Sequence, residues 1–159
     1  MSVQEVDLTI PAEASDAVNN PEHRWVAVCM GTGCMSSASA ELREALSKEL
    51  DRHELNGHVE VRRTGCFGFC EQGPIVVVHP GETFYTRVKS QDIKAIVEEH
   101  VLGGRPVERL LYREPSTNAI AESWHKISFY GKQQRIVLHN CGIIDPEEID
   151  HYLARKGYQ

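Results

Sequence analysis

The chain has 159 residues and a formal net charge of −6, with 41% hydrophobic and 25% charged residues, the balance of a globular protein with one ordinary domain and some sequence left over. The acidic balance excludes nucleic-acid binding as a main activity, because that relies on Lys and Arg to neutralise phosphates. No apolar run approaches the roughly 20 residues of a membrane-spanning helix, and the acidic start Met1-Ser-Val-Gln-Glu-Val-Asp lacks the features of a signal peptide, so a cytoplasmic protein without direct membrane insertion is expected.

Residues 1–23 contain Pro11, Pro21, Asn19-Asn20 and scattered acids without periodicity, and read as an extended or disordered lead. Trp25-Val26-Ala27-Val28 is a short buried strand that ends at Cys29. A glycine-containing loop leads to Cys34, and Ser36, Ser37 or Ser39 can cap the helix that follows. Leu42, Ala45, Leu46 and Leu50 recur at helical spacing there, and Asn56-Gly57 stops it. Val59-Glu60-Val61-Arg62-Arg63 alternates as a second strand and delivers the chain to Gly65-Cys66. After the turn Gln72-Gly73-Pro74, the β-branched run Ile75-Val76-Val77-Val78 predicts a strand buried on both faces. His79-Pro80-Gly81 turns the chain into a hairpin partner over Thr83–Val88. Ser90 caps a helix whose Ile93, Ile96 and Val97 share a face, ending near Gly103-Gly104. The order is β-α-β-β-β-α, an α/β sandwich of the thioredoxin kind with a C-terminal extension. In the extension, Glu114-Pro115-Ser116 predicts a turn, Gln134–His139 a strand, and Asp145-Pro146-Glu147-Glu148 a helix start running to Gly157.

Four of the five cysteines form two close pairs, Cys29-x4-Cys34 and Cys66-x3-Cys70, each set in glycine at the C-terminal end of a strand. That edge is where open α/β sheets bind ligands, and paired thiols in a reducing compartment point to a metal before a disulfide. Gly31, Gly33, Gly65 and Gly68 let the backbone approach a ligand closely and aim N–H groups at it. Several readings fit these residues: inert buried thiols, thioredoxin-like thiol–disulfide chemistry at the first pair, structural zinc, or an iron–sulfur cluster. The four-residue spacer Met30-Gly31-Thr32-Gly33 breaks the Cys-x-x-Cys redox motif. For an anionic cluster, Arg62 or Arg63 would supply positive charge, and Phe67, Phe69 and Met30 would keep water from the sulfurs. The histidines show no paired metal spacing, and His79 and His139 are read as ordinary surface or satisfied residues.

The motif Cys-x4-Cys followed by Gly65-Cys66-Phe67-Gly68-Phe69-Cys70, on that frame, resembles the thioredoxin-like 2Fe–2S ferredoxins over roughly Trp25 to Leu102. The resemblance implies one 2Fe–2S cluster on Cys29, Cys34, Cys66 and Cys70, within a domain spanning 24–104. The stretch Phe129-Tyr-Gly-Lys-Gln-Gln-Arg-Ile-Val-Leu-His-Asn-Cys-Gly-Ile-Ile-Asp-Pro-Glu-Glu-Ile-Asp-His-Tyr is similar to the opening of the NADH-oxidising flavoprotein subunit of respiratory complex I and of soluble NAD-linked hydrogenases and formate dehydrogenases, some of them electron-bifurcating. Residues 105–159 would then be a linker and the start of that subunit, with FMN, NADH and 4Fe–4S sites expected only in a missing region or on partner subunits. The implied function is single-electron transfer within an NAD(H)-linked iron–sulfur flavoprotein complex, not catalysis by this chain alone. Cys141 matches the opening segment and is implied to be structural. A zinc-stabilised subunit-interaction module is the competing class.

Overall fold

The computed structural model describes residues 10–159. Helix α1 (Ala12–Asn19) precedes strand β1 (Trp25–Cys29); a single turn, α2 (Thr32–Met35), and helix α3 (Ser39–Arg52) lead to β2 (Glu60–Thr64), β3 (Val76–His79) and β4 (Thr83–Tyr85). The sheet order is β2-β1-β3-β4. β1 is parallel to β2 and antiparallel to β3, and β3 is antiparallel to β4. The crossover through α3 makes the parallel pair, since adjacent parallel strands need a long connection, and the tight turn after His79 makes the hairpin. A helical run over 90–102 follows. It opens as a 3₁₀ turn (Ser90–Asp92), passes through α4 (Ile93–Ala95) and widens to a π-helix (Ile96–Leu102). The expected β-α-β-β-β-α frame is therefore present.

Strand alternation divides the core in two. Val26, Val28, Val76, Val78 and Tyr85 face Leu42, Leu46, Leu50, Ile93, Ile96 and Val97 of the helices. Trp25, Ala27, Cys29, Val77 and Phe84 point the other way, where Tyr112, Ala121, Ile127 and Tyr130 of the C-terminal extension cover them. All five residues of β1 are buried. Burying one large apolar side chain is worth roughly 1.5–3 kcal/mol, so the second face is a major stabilising layer supplied by the extension.

The extension consists of a hairpin, β5 (Tyr112–Arg113) with β6 (Ile120–Ala121), then α5 (Ser128–Gly131) and α6 (Ile149–Ala154). It runs along the outer edge of β4, where the Phe84 N–H donates to the Glu122 carbonyl at 2.8 Å and the Thr86 N–H to the Leu110 carbonyl at 2.9 Å.

Three expectations are corrected. Residues 12–19 are helical where an extended or disordered lead was expected: Pro11 and Asn20 bracket an Ala-rich turn former instead of breaking it. The part of that lead over 1–9 lies outside the described residues. Gln134–His139 is a series of turns, not a strand. Among the described residues it has no ladder partner, and Ile136 and Val137 stand 72% and 89% exposed. The last helix starts at Ile149, not near Asp145. The Asp145 carboxylate accepts the Glu147 N–H at 3.0 Å, and it also accepts the backbone and side-chain N–H groups of Arg63, each at 3.1 Å. It anchors a turn to β2 instead of starting the helix.

Candidate metal centre

The two cysteine loops leave neighbouring strands at the same end of the sheet. One further bond beyond the strand ends, from the Met30 N–H to the Thr64 carbonyl at 2.8 Å, keeps the loops side by side. Cys29 closes β1 and is fully buried; Cys34 sits in the single turn α2 and is also buried. Cys66 is half-buried, and Cys70 opens a 3₁₀ turn at the surface. The sulfurs of Cys66 and Cys70 are 3.5 Å apart.

The glycines act mainly by making room. A Cβ on Gly31 would lie 2.8 Å from the Cys66 Cβ, and one on Gly33 would lie 3.0 Å from the Cys70 Cβ. The glycines of the first loop are thus the seats for the thiols of the second. Gly73 does the same for Cys34, whose Sγ lies 2.7 Å from the Cβ position. Sequence reading assigned Gly73 only to a turn, and a partner distant in sequence leaves no local signal. Gly68 alone of the loop glycines meets its need through backbone shape, with φ at +78°. That turn lets the Gly68 N–H donate to Cys66 Sγ at 3.2 Å.

The four thiols are not equivalent. A hydrogen bond with Cys34, aided by the N–H groups of Gly31 and Phe67, holds Cys29 well below the ordinary thiol range, at about 6. The same contact and burial push Cys34 up, and burial pushes Cys66 up. One member of the inner pair is therefore ready to bind as a thiolate, and binding metal would expel the proton from Cys34 and Cys66.

The donor set also bears on metal type. Four sulfurs about 2.3 Å from one zinc ion lie roughly 3.8 Å from one another. Among the described residues, the trio whose ligand atoms all fall within 4.8 Å of one another is Glu49, His53 and Glu98, on α3 and the π-helix; no three thiols do so. The thiols nevertheless lie together, Cys66 beside Cys70 and Cys29 in hydrogen-bonding reach of both Cys34 and Cys66. Four thiolates are the ligand set of a structural zinc ion and of a 2Fe–2S cluster alike.

The expected arginines do not serve the centre. Arg62 is buried, lies 4.0 Å over the Trp25 ring, and bonds the Glu60 carboxylate and the carbonyls of Ala17 and Ile143. Arg63 is taken by Asp145, Glu147 and Glu148. Side chains on β2 alternate between the sheet faces and do not point past its end. Of the expected shielding residues, Phe67 is buried and Phe69 half-buried; Phe69 meets Phe84, Tyr112, Phe129 and Tyr130.

The extension reaches the centre, which sequence reading missed. The Tyr130 hydroxyl donates to the Phe67 carbonyl at 3.0 Å, and the Gly142 N–H donates to the Thr64 hydroxyl at 2.6 Å. Burial pushes the Tyr130 hydroxyl up, so it remains a donor at neutral pH. Cys141 packs against Gly65, its sulfur 2.9 Å from where a Cβ would stand. Cys141 stays half-buried and outside both thiol pairs.

The family model described as "Thioredoxin-like [2Fe-2S] ferredoxin" matches residues 18–100. A "Ferredoxin, 2Fe-2S" from Clostridium pasteurianum is 47% identical over 77 residues, covering 48% of this chain and 76% of that protein. The crystal structure of the wild-type thioredoxin-like [2Fe–2S] ferredoxin from Aquifex aeolicus superposes with a TM-score of 0.54 at 33% identity, over 58% of this chain and 99% of that one. A 28-residue stretch, 18% of this chain, is 61% identical to the "NADP-reducing hydrogenase subunit HndC" of Solidesulfovibrio fructosivorans, of which it covers 6%.

Proposed function

The chain belongs to the thioredoxin-like [2Fe–2S] ferredoxins, and from that membership we propose that its electron-transfer cluster is held by Cys29, Cys34, Cys66 and Cys70 and serves an NAD(H)-linked, multi-subunit iron–sulfur flavoprotein. The observation that carries the ligand assignment is the interlocking of the two loops, in which Gly31 and Gly33 seat Cys66 and Cys70. The cluster supplies a one-electron carrier. The chain's own residues divide the remaining work. Cys29 and Cys34 hold the inner side in the dry core. Cys66 and the exposed Cys70 would hold the outer side, so a bound cluster would exchange electrons at that edge, where Phe129 stacks on Phe69. Phe67 and Phe69 pack in the same apolar cluster as Cys29 and Cys34.

The flavoprotein association is supported by the short, high-identity match to a hydrogenase subunit. It is also supported by the exposed run Ile136, Val137 and Leu138, an apolar patch of the sort that meets a partner. FMN, NADH and 4Fe–4S sites belong to a region outside this sequence or to partner subunits in this reading, and the chain by itself is not expected to oxidise NADH. The zinc-module reading is disfavoured by the family membership.

The test is an anaerobic absorption and EPR spectrum before and after dithionite, with metal and sulfide analysis. About two irons and two sulfides per chain, silent when oxidised and giving an S = 1/2 signal when reduced, are expected. One zinc and no visible absorption would end this reading. For the partner assignment, NADH alone should leave the cluster oxidised, and NADH with a catalytic amount of an NADH-oxidising flavoprotein should reduce it. Reduction by NADH without any flavoprotein would overturn that assignment.

A further inference from the structure

Residues 128–145 lie beyond the part matched by the family model, yet they contact the loop that carries Cys66 at several points. Asp145 takes the Arg63 N–H, the Gly142 N–H binds Thr64, and Cys141 abuts Gly65. Tyr130 holds the Phe67 carbonyl.

The last of these bonds has a particular geometry. The Phe67 carbonyl and the Gly68 N–H belong to one peptide unit, which is planar, with its C=O and N–H pointing in opposite directions. The carbonyl end accepts the Tyr130 hydroxyl at 3.0 Å, and the amide end donates to Cys66 Sγ at 3.2 Å. A donor on the carbonyl both fixes the plane and polarises the amide, since chained hydrogen bonds strengthen one another. We propose that Tyr130 is a positioning residue for the cluster: through the Phe67–Gly68 peptide it aims and strengthens the N–H donated to the Cys66 sulfur, and so raises the reduction potential. Hydrogen bonds to ligand sulfur favour the more negative, reduced state. The inference rests on Cys66 being a ligand, and it extends the machinery of the centre into the C-terminal extension.

Tyr130 is well placed for this role because its ring is fixed independently. It is buried and meets Phe69, Phe84 and Trp124 edge-on. Tyr130→Phe therefore removes the donor and keeps the packing. The experiment is an EPR-monitored redox titration of the cluster-loaded full chain. Tyr130→Phe should lower the reduction equilibrium constant at least threefold, about 28 mV for a one-electron couple. Tyr152→Phe, which removes a tyrosine hydroxyl on α6 where the ring packs on Tyr158 outside the hydrogen-bond chain, should leave it within that limit. Should Tyr130→Phe fail to hold a cluster, 3-fluorotyrosine placed at 130 keeps the ring and makes a stronger donor, and should raise the potential. An unchanged potential in the loaded Tyr130→Phe protein, or in the fluorotyrosine protein, overturns the proposal while leaving the ligand set intact. Absence of the S = 1/2 signal from the wild-type protein overturns the ligand reading and this one with it.

Discussion

The imidazole of His79 lies flat on the indole of Trp25, with ring centroids 3.6 Å apart and planes 7° from parallel. The Arg62 guanidinium is also 4.0 Å over that indole. His79 is thus held where a second positive charge is unwelcome. Burial first, and Arg62 second, push its pKa down to about 3, and its Nε2 is buried without a partner among the described residues. A histidine lowered in the folded state binds fewer protons there than in the unfolded chain. Its stabilising contribution is therefore full above the unfolded value of about 6.5 and is lost as pH falls toward 3. Thermal unfolding should show wild-type stability falling below pH 6.5 by at most about 1.4 kcal/mol per pH unit from this group. His79→Phe, which keeps the stacked ring, should flatten that limb and be relatively the more stable protein at pH 5. His100 and His151 are lowered by burial too, so a residual slope remains. An identical acid limb in both proteins would remove His79 as its cause.

The seats for the thiols should be intolerant of a methyl group. Gly31→Ala would put a Cβ 2.8 Å from the Cys66 Cβ, with the Cys66 backbone also near at 3.2 Å. Gly73→Ala would put one 2.7 Å from Cys34 Sγ. Both variants should lose at least half of the iron and sulfide per chain after identical preparation. Gly131→Ala meets nothing within 4 Å and has no left-handed backbone, so it should load fully. Full loading of Gly31→Ala would mean that the loops are not interlocked.

Cys141 gives a sharp contrast with the four clustered thiols. Cys141→Ser should keep the visible spectrum and the EPR signal of the wild type. Serine at Cys29, Cys34, Cys66 or Cys70 should abolish or visibly alter both, because an alkoxide replaces a thiolate on iron. A Cys141→Ser protein that cannot be loaded would show that Gly65 needs the sulfur against it.

Asp145 joins the extension to β2 through the Arg63 backbone and side chain. Its side chain is 7% exposed. Asp145→Ala would leave the Arg63 amide without that acceptor and break the pair, at a cost of about 2–3 kcal/mol in denaturant unfolding. A loss below about 0.5 kcal/mol would place the bond among ordinary surface pairs.

What the sequence reveals here depends on how far apart the cooperating residues lie. The β-α-β-β-β-α frame was legible because its signals are local: an apolar run at Ile75–Val78, helical spacing from Leu42 to Leu50, and turn residues between them. The two close cysteine pairs were legible for the same reason. The roles of Gly73 and Tyr130 were not, because each acts on a residue far away in the chain. The misread strand over Gln134–His139 has strand composition but joins no edge among the described residues, and pairing, not propensity, decides such a segment. Arg62 and Arg63 lie near the cysteines in sequence, but strand geometry turns one onto Trp25 and the other onto Asp145.

The extension also touches both outer margins of the sheet. Beside β4 the amides of Phe84 and Thr86 are taken by Glu122 and Leu110, and beside β2 the amide of Arg63 is taken by Asp145. Bare strand margins invite pairing with another copy, the route to edge-to-edge aggregation. The same segment that contacts the Cys66 loop therefore also blunts the two margins at which a sheet this small could add a strand from another copy. A chain cut before residue 105 would keep all four clustered thiols and lose that guard.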